Sequence, residues 1–121
     1  MAHPFVHCEL NATDVGAAKT FYASLFGWEL KDEIMPTGPY TMIGVGDEGT
    51  GGGILQQKIP GAPSSWVPYV LVDDIEADTK RAESLGATVM VPVTDIGMGK
   101  LSIFVDPTGA PLGLWQVSSA G

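Results

Sequence analysis

The chain has 121 residues, 45% of them hydrophobic, which is the size of one ordinary domain with enough apolar material for a core. Fourteen acidic side chains against six basic ones leave a formal charge of −8, which repels phosphate backbones and anionic lipid surfaces, so neither nucleic acid nor a membrane is an expected partner. The single cysteine, Cys8, allows no internal disulfide and no thiolate cluster, no apolar run approaches the roughly 18 residues of a membrane helix, and the amino end has no leader-like pattern; these features predict a cytoplasmic protein.

In chain order, an extended run from Phe5 to Leu10 leads through Asn11, Ala12 and Thr13 to Asp14. Val15, Ala18, Phe21, Tyr22, Leu25 and Phe26 then recur at helical spacing as far as Gly27, which predicts a strand, a helix capped by Asp14 and a stop at the glycine. Three strand-like runs follow, Trp28 to Ile34, Tyr40 to Val45 and Gly53 to Ile59, separated by Pro36, Gly38-Pro39 and a glycine-rich stretch over 49–53. Gly51-Gly52-Gly53 lacks the Lys-Ser/Thr and the helix of a phosphate-binding loop and reads as a hairpin connection. Residues 60–65, with Pro60 and Pro63, form a stiff linker.

After the linker the same grammar recurs. Trp66 to Val72 reads as a strand, Asp74 as a cap, and Ile75, Ala82 and Leu85 as one helical face ending at Gly86. Thr88 to Val93, Leu101 to Val105 and Leu112 to Val117 are the three following strands. In both copies a leucine lies eleven residues after the capping aspartate, Asp14 to Leu25 and Asp74 to Leu85. The expected fold is α+β: one domain of two βαβββ repeats, about 4–59 and 66–118, whose curved mixed sheets surround a concave pocket. Such a hollow suits a small organic molecule.

Three motifs carry a family resemblance that covers nearly the whole chain. They are Asp14-Val15-x-Ala17-Ala18-x-x-Phe21-Tyr22-x-x-Leu25-Phe26-Gly27-Trp28, Trp66-x-x-Tyr69-x-x-Val72-x-Asp74-Ile75, and Gly99-Lys100-x-x-x-Phe104-x-Asp106-Pro107-x-Gly109-Ala110. The chain resembles the vicinal oxygen chelate superfamily, which holds glyoxalase I, extradiol dioxygenases, fosfomycin-resistance proteins and bleomycin-binding proteins, and within it the small bacterial glyoxalase-like branch. The resemblance implies a homodimer and a divalent metal held by His and Glu side chains on the first and last strand of each repeat.

Carried over position by position, that ligand set is depleted. His7, seven residues before Asp14, matches the first ligand. Its counterpart before Asp74 is Val67, the carboxylate position after Gly109 falls on Gly113, and the position on the last strand of the first copy falls near Leu55 or Gln56. One imidazole, even with a weak amide, does not hold a transition metal against water, so no glyoxalase-type metal is expected. The alternative is an improvised site of His7, Glu9 and a carboxylate such as Asp73, and with it a metal-dependent lyase, isomerase or dioxygenase. His3 would join only if the amino end folded back, and a terminal histidine is ordinarily disordered.

Without a metal, His7 reads either as an acid or base in the pocket or as a satisfied histidine on a half-buried strand. Glu9 and Asn11 share its parity, and the equivalent strand of the second copy offers Val67, Tyr69 and Leu71. Trp66 and Trp115 are ranked above Trp28 as wall residues, with core filling the plainer fate of each. Met98, between Gly97 and Gly99, reads as a lid or simply as a turn. The expected pocket set is therefore His7, Glu9, Gln56, Trp66, Val67, Tyr69, Gly113 and Trp115. Two functions stay open: a metal-free binding module, or an enzyme.

Overall fold

In the computed structural model, residues 2–118 are described, and they form ten elements in the order β1 (Phe5–Ala12), α1 (Val15–Phe26), β2 (Glu29–Met35), β3 (Gly38–Gly44), β4 (Gly52–Gln56), β5 (Ser65–Leu71), α2 (Ile75–Ser84), β6 (Thr88–Asp95), β7 (Gly99–Val105) and β8 (Pro111–Val117). The fold is α+β and consists of two βαβββ repeats. Two compact units are present: residues 7–67, and residues 68–118 together with the amino-terminal arm before His7.

In the first unit the strand order is β2-β3-β4-β1; in the second it is β6-β7-β8-β5, the same order repeated. β1 runs parallel to β4, with Glu9 opposite Gly53, while β2, β3 and β4 are antiparallel neighbours. β5 likewise runs parallel to β8, with Tyr69 opposite Gly113. Both helices start as the sequence dictates. Asp14 Oδ1 accepts the backbone N–H of Ala17 at 3.0 Å, and Asp74 Oδ1 accepts that of Ala77 at 3.1 Å. α1 stops at Gly27, whose φ of 67° is the left-handed conformation a helix terminus favours and a β-carbon resists.

Strand parity then sorts side chains between two faces of each sheet. Leu10, Ala12, Ile43 and Ile54 turn toward α1 and form the first core with Val15, Ala18, Tyr22, Trp28 and Leu30 packed against it. Val72, Ile75 and Leu114 form the second, with Val70, Val93 and Phe104. The odd-numbered residues of β1 therefore project from the face away from α1.

Three expectations need correction. Gly52 belongs to β4 and is not part of a hairpin connection, and Gly53 lies inside the strand, as the run from Gly53 predicts; β4 pairs closely with β1, so that a β-carbon at Gly52 would lie 1.8 Å from the Cys8 carbonyl oxygen. β4 also ends at Gln56 and does not reach Ile59, since the Gln57 N–H caps the Ala12 carbonyl at 2.8 Å and the Gln57 amide turns to the Pro63 carbonyl at 3.0 Å. His3 is placed, not disordered: the Leu71 N–H donates to the Pro4 carbonyl at 2.9 Å, and the His3 ring nitrogen Nδ1 donates to the Leu71 carbonyl at 3.0 Å.

Candidate functional site

The face of the first sheet turned away from α1 collects a polar constellation. His7 and Glu9 stand two apart on β1 and so project from the same face. Tyr40 arrives from β3, in register with Glu33 on β2. Its hydroxyl lies 2.7 Å from His7 Nε2 and donates to Glu9 Oε2 at 3.0 Å. Since the phenol gives its only proton to Glu9, the His7 contact requires Nε2–H as donor and the phenol oxygen as acceptor. The result is a chain of hydrogen bonds from imidazole through phenol to carboxylate.

Burial sets the charge states. Glu9 is only 5% exposed, and His7 and Tyr40 are half-buried. Desolvation pulls the His7 imidazole below its ordinary value, so it is neutral near pH 7. Burial first, then the Glu9 charge and hydrogen bond, push the Tyr40 phenol far above its usual range, so it stays protonated and acts as a donor and not as a base.

Gly53 makes this arrangement possible. A β-carbon there would meet the Tyr40 hydroxyl at 2.0 Å and the ring at 2.1 to 2.2 Å, so the ring lies directly on the glycine backbone. Sequence reasoning missed Tyr40, which lies 33 residues from His7 and reaches it only through the β2–β3 hairpin and the β3–β4 pairing. The available signal was Gly53 itself, since a glycine inside a strand marks a close approach.

The other expected residues are distributed as follows. Leu55 follows Gly53 at the same parity and shares the face of Glu9 and Tyr40; Gln56 is exposed and donates its amide to the Thr13 carbonyl at 3.1 Å. Trp66 lies on the helix side, edge-on to Tyr22 at 5.4 Å and to Trp28 at 6.4 Å, with its indole N–H donating to the Tyr22 hydroxyl at 3.3 Å. Val67 and Tyr69 are buried and alternate in parity with Trp66. In the second unit Tyr69 covers Gly113, where a β-carbon would lie 2.4 Å from its ring, and Trp115 covers Gly99 at 2.6 Å. Met98 is exposed in a turn closed by the Ile96 N–H to the Gly99 carbonyl at 2.9 Å. Asp73 is exposed at the end of β5.

A metal fits this donor set poorly. His7 and Glu9 are the two classical donors of the constellation, His7 Nε2 already serves Tyr40, and among the described residues no three His, Cys, Asp or Glu side chains gather where they could hold an ion. A recess of about 320 Å³ beside α2 is lined mostly by apolar side chains, among them Val70, Val72, Phe104 and Leu114, with His3, Asp78 and Arg81 as its polar groups. The first sheet, where an imidazole and a carboxylate meet at one phenol oxygen, is the better candidate.

A family model described as the Glyoxalase/Bleomycin resistance protein/Dioxygenase superfamily matches residues 5–114. The chain belongs to this superfamily. One relative within reach is CFP32 of Mycobacterium tuberculosis, whose name carries a provisional glyoxylase assignment; it is 40% identical over 117 residues, covering 91% of this chain and 44% of that protein. The anthracycline biosynthesis protein DnrV of Streptomyces peucetius is 32% identical over 124 residues, covering 89% of this chain and 45% of that protein. The chain thus spans less than half the length of the curated relatives it matches. Among solved structures, a hypothetical protein, BH1468 of Bacillus halodurans, aligns with a TM-score of 0.70 at 12% identity, covering 100% and 99% of the two chains. The methylmalonyl-CoA epimerase of Mycobacterium tuberculosis aligns with a TM-score of 0.66 at 13% identity, covering 94% and 87%. At these identities the structural likeness speaks for the fold alone.

Proposed function

We propose that this superfamily member binds a small organic molecule on the face of its first sheet turned away from α1 and does so without the divalent metal. The observation that carries the reading is the chain from His7 through Tyr40 to Glu9, in which the imidazole and the carboxylate are both engaged by the phenol where the metal-dependent pattern would offer them to an ion. Leu55 and Met42 border these polar groups with apolar surface, a mixture that suits an amphipathic ligand. The names of the relatives supply the first probes: anthracyclines, bleomycin and acyl-CoA thioesters. The protein is expected to work in the cytoplasm, where a lone cysteine suits reducing conditions, and as a homodimer, as the resemblance implies.

The competing reading is a glyoxalase-type lyase or isomerase, or a dioxygenase, using a metal on His7, and it is favoured by the glyoxylase assignment of CFP32. Metal analysis of protein purified without an affinity tag that binds metal separates the two. Less than stoichiometric metal, together with saturable binding of a probe in chelator, supports the metal-free site. One bound transition-metal ion per chain would overturn it. Sedimentation velocity tests the dimer, and a monomer at micromolar concentration would contradict it.

A further inference from the structure

We propose that the Tyr40 hydroxyl takes the place of a divalent cation between His7 and Glu9 and thereby decides that this face binds through hydrogen bonds, not chelation. The inference rests on the metal-free reading above and explains it through a single residue.

The geometry carries the argument. His7 Nε2 and Glu9 Oε2 come from side chains on one face of one strand and converge on a single oxygen, at 2.7 and 3.0 Å. A histidine nitrogen and a carboxylate oxygen that aim at a common point are arranged as ligands about a centre. A first-row metal at that centre would need contacts of about 2.0 to 2.2 Å, less than an ångström shorter on each side. The centre is filled by a phenol carried in from β3. It satisfies both partners at once, accepting from the imidazole and donating to the carboxylate, which is what a neutral hydroxyl can do and a cation cannot.

The backbone is also built for this occupant. The Tyr40 ring rests on Gly53, where any β-carbon would collide with the hydroxyl at 2.0 Å, so the glycine and the tyrosine form a matched pair. The second repeat supplies an internal control. Gly113 corresponds to Gly53, as the pairing of Gly53 with Glu9 and of Gly113 with Tyr69 shows, and the position of Tyr40 is taken by Leu101. That repeat carries Val67 in place of His7 and Tyr69 in place of Glu9, so neither the imidazole nor the carboxylate recurs at those positions.

The test removes the hydroxyl and keeps the ring. Nickel binding is measured by titration calorimetry for the wild type, Tyr40→Phe, and the double variant Tyr40→Phe/His7→Ala, with cobalt absorption as a second readout. Tyr40→Phe is expected to bind nickel at least about tenfold more tightly than the wild type, the factor that releasing one charge-assisted hydrogen bond corresponds to, and the double variant is expected to lose the gain. Equal weak binding by wild type and Tyr40→Phe overturns the inference and leaves the metal-free reading standing. Tight stoichiometric binding by both overturns both. A gain that survives His7→Ala overturns the inference, because the metal would then sit elsewhere. Tyr40→Leu, which copies the residue of the second repeat, serves the same comparison if Tyr40→Phe does not fold.

Discussion

The two repeats share strand order, the register of their parallel strand pairs and their helix N-caps, yet the sheet faces turned away from the helices differ in kind. Position for position, His7, Glu9, Tyr40 and Leu55 in the first correspond to Val67, Tyr69, Leu101 and Trp115 in the second, with Gly53 matching Gly113. One sheet carries a hydrogen-bonded chain of ionisable groups; the other carries apolar side chains with a single phenol. Their helices differ in the opposite sense. α1 has no fully buried residue and leaves Phe21, Leu25 and Phe26 each 58% exposed, whereas α2 buries Ile75 and Thr79 and exposes charged side chains. The backbone of a duplicated unit is set by N-caps, glycines and core parity, which both halves keep, while the chemistry resides in a few positions on the face away from the helix that each half fills differently.

The largest effects should therefore be common to both halves. Gly53→Ala and Gly113→Ala each force a methyl group into an aromatic ring, at 2.0 to 2.2 Å from Tyr40 and 2.4 Å from Tyr69, and each should lose about 3 kcal/mol in urea denaturation. A loss under about 1 kcal/mol at either site would show that the ring moves aside freely. Next come changes confined to the first half. Tyr40→Phe leaves the buried Glu9 carboxylate without this donor and should cost about 1 to 3 kcal/mol, and its coupling to Glu9→Gln in a double-mutant cycle should reach at least about 0.5 kcal/mol. Additive losses would mean that the hydrogen bond contributes nothing to folding.

The positions that declared themselves in the sequence were those governed by local rules. Asp14 and Asp74 as caps, Gly27 as a stop and the recurrence of apolar faces need only neighbours within a turn or two, so both βαβββ repeats were readable. β1 parity also placed His7 and Glu9 together. Tyr40 was not readable, because its meeting with His7 depends on the register of three strands, and register is fixed by pairing partners distant in the chain. Gly52 misled for a related reason: glycine signals a turn locally, but here it marks the tight approach of β4 to Cys8. Trp66 read as a pocket wall, and its even parity on β5 instead sets it against Tyr22 and Trp28.

Smaller effects refine the contrast further. Asp14→Ala and Asp74→Ala should each cost about 1 kcal/mol by thermal or chemical unfolding, equal within error if the caps are equivalent. A cost at one cap alone would show that the helices depend on their caps to different degrees. The last effect is a slope with pH. The folded state holds His7 below its ordinary value of 6.5, so on acidification the unfolded chain takes up this proton first, and stability falls as pH drops below about 6.5. His7→Gln should flatten the wild-type slope between about pH 6.5 and the lower folded-state value, measured as midpoint against pH; an unaltered slope would assign the acid sensitivity to other groups.

The aromatic cluster offers a consequence of a different sort. Trp28 and Trp66 meet edge to face around Tyr22 in the first unit, while Trp115 lies over Gly99 in the second. Indoles held 6.4 Å apart at a fixed angle couple their electronic transitions, so the near-ultraviolet circular dichroism of the protein should be dominated by that pair and should vanish when the first unit loosens. Replacing Trp115 by phenylalanine would leave tryptophan emission from the first unit alone. The protein thus carries its own optical reporter of whether one half of the duplication can loosen while the other stays intact.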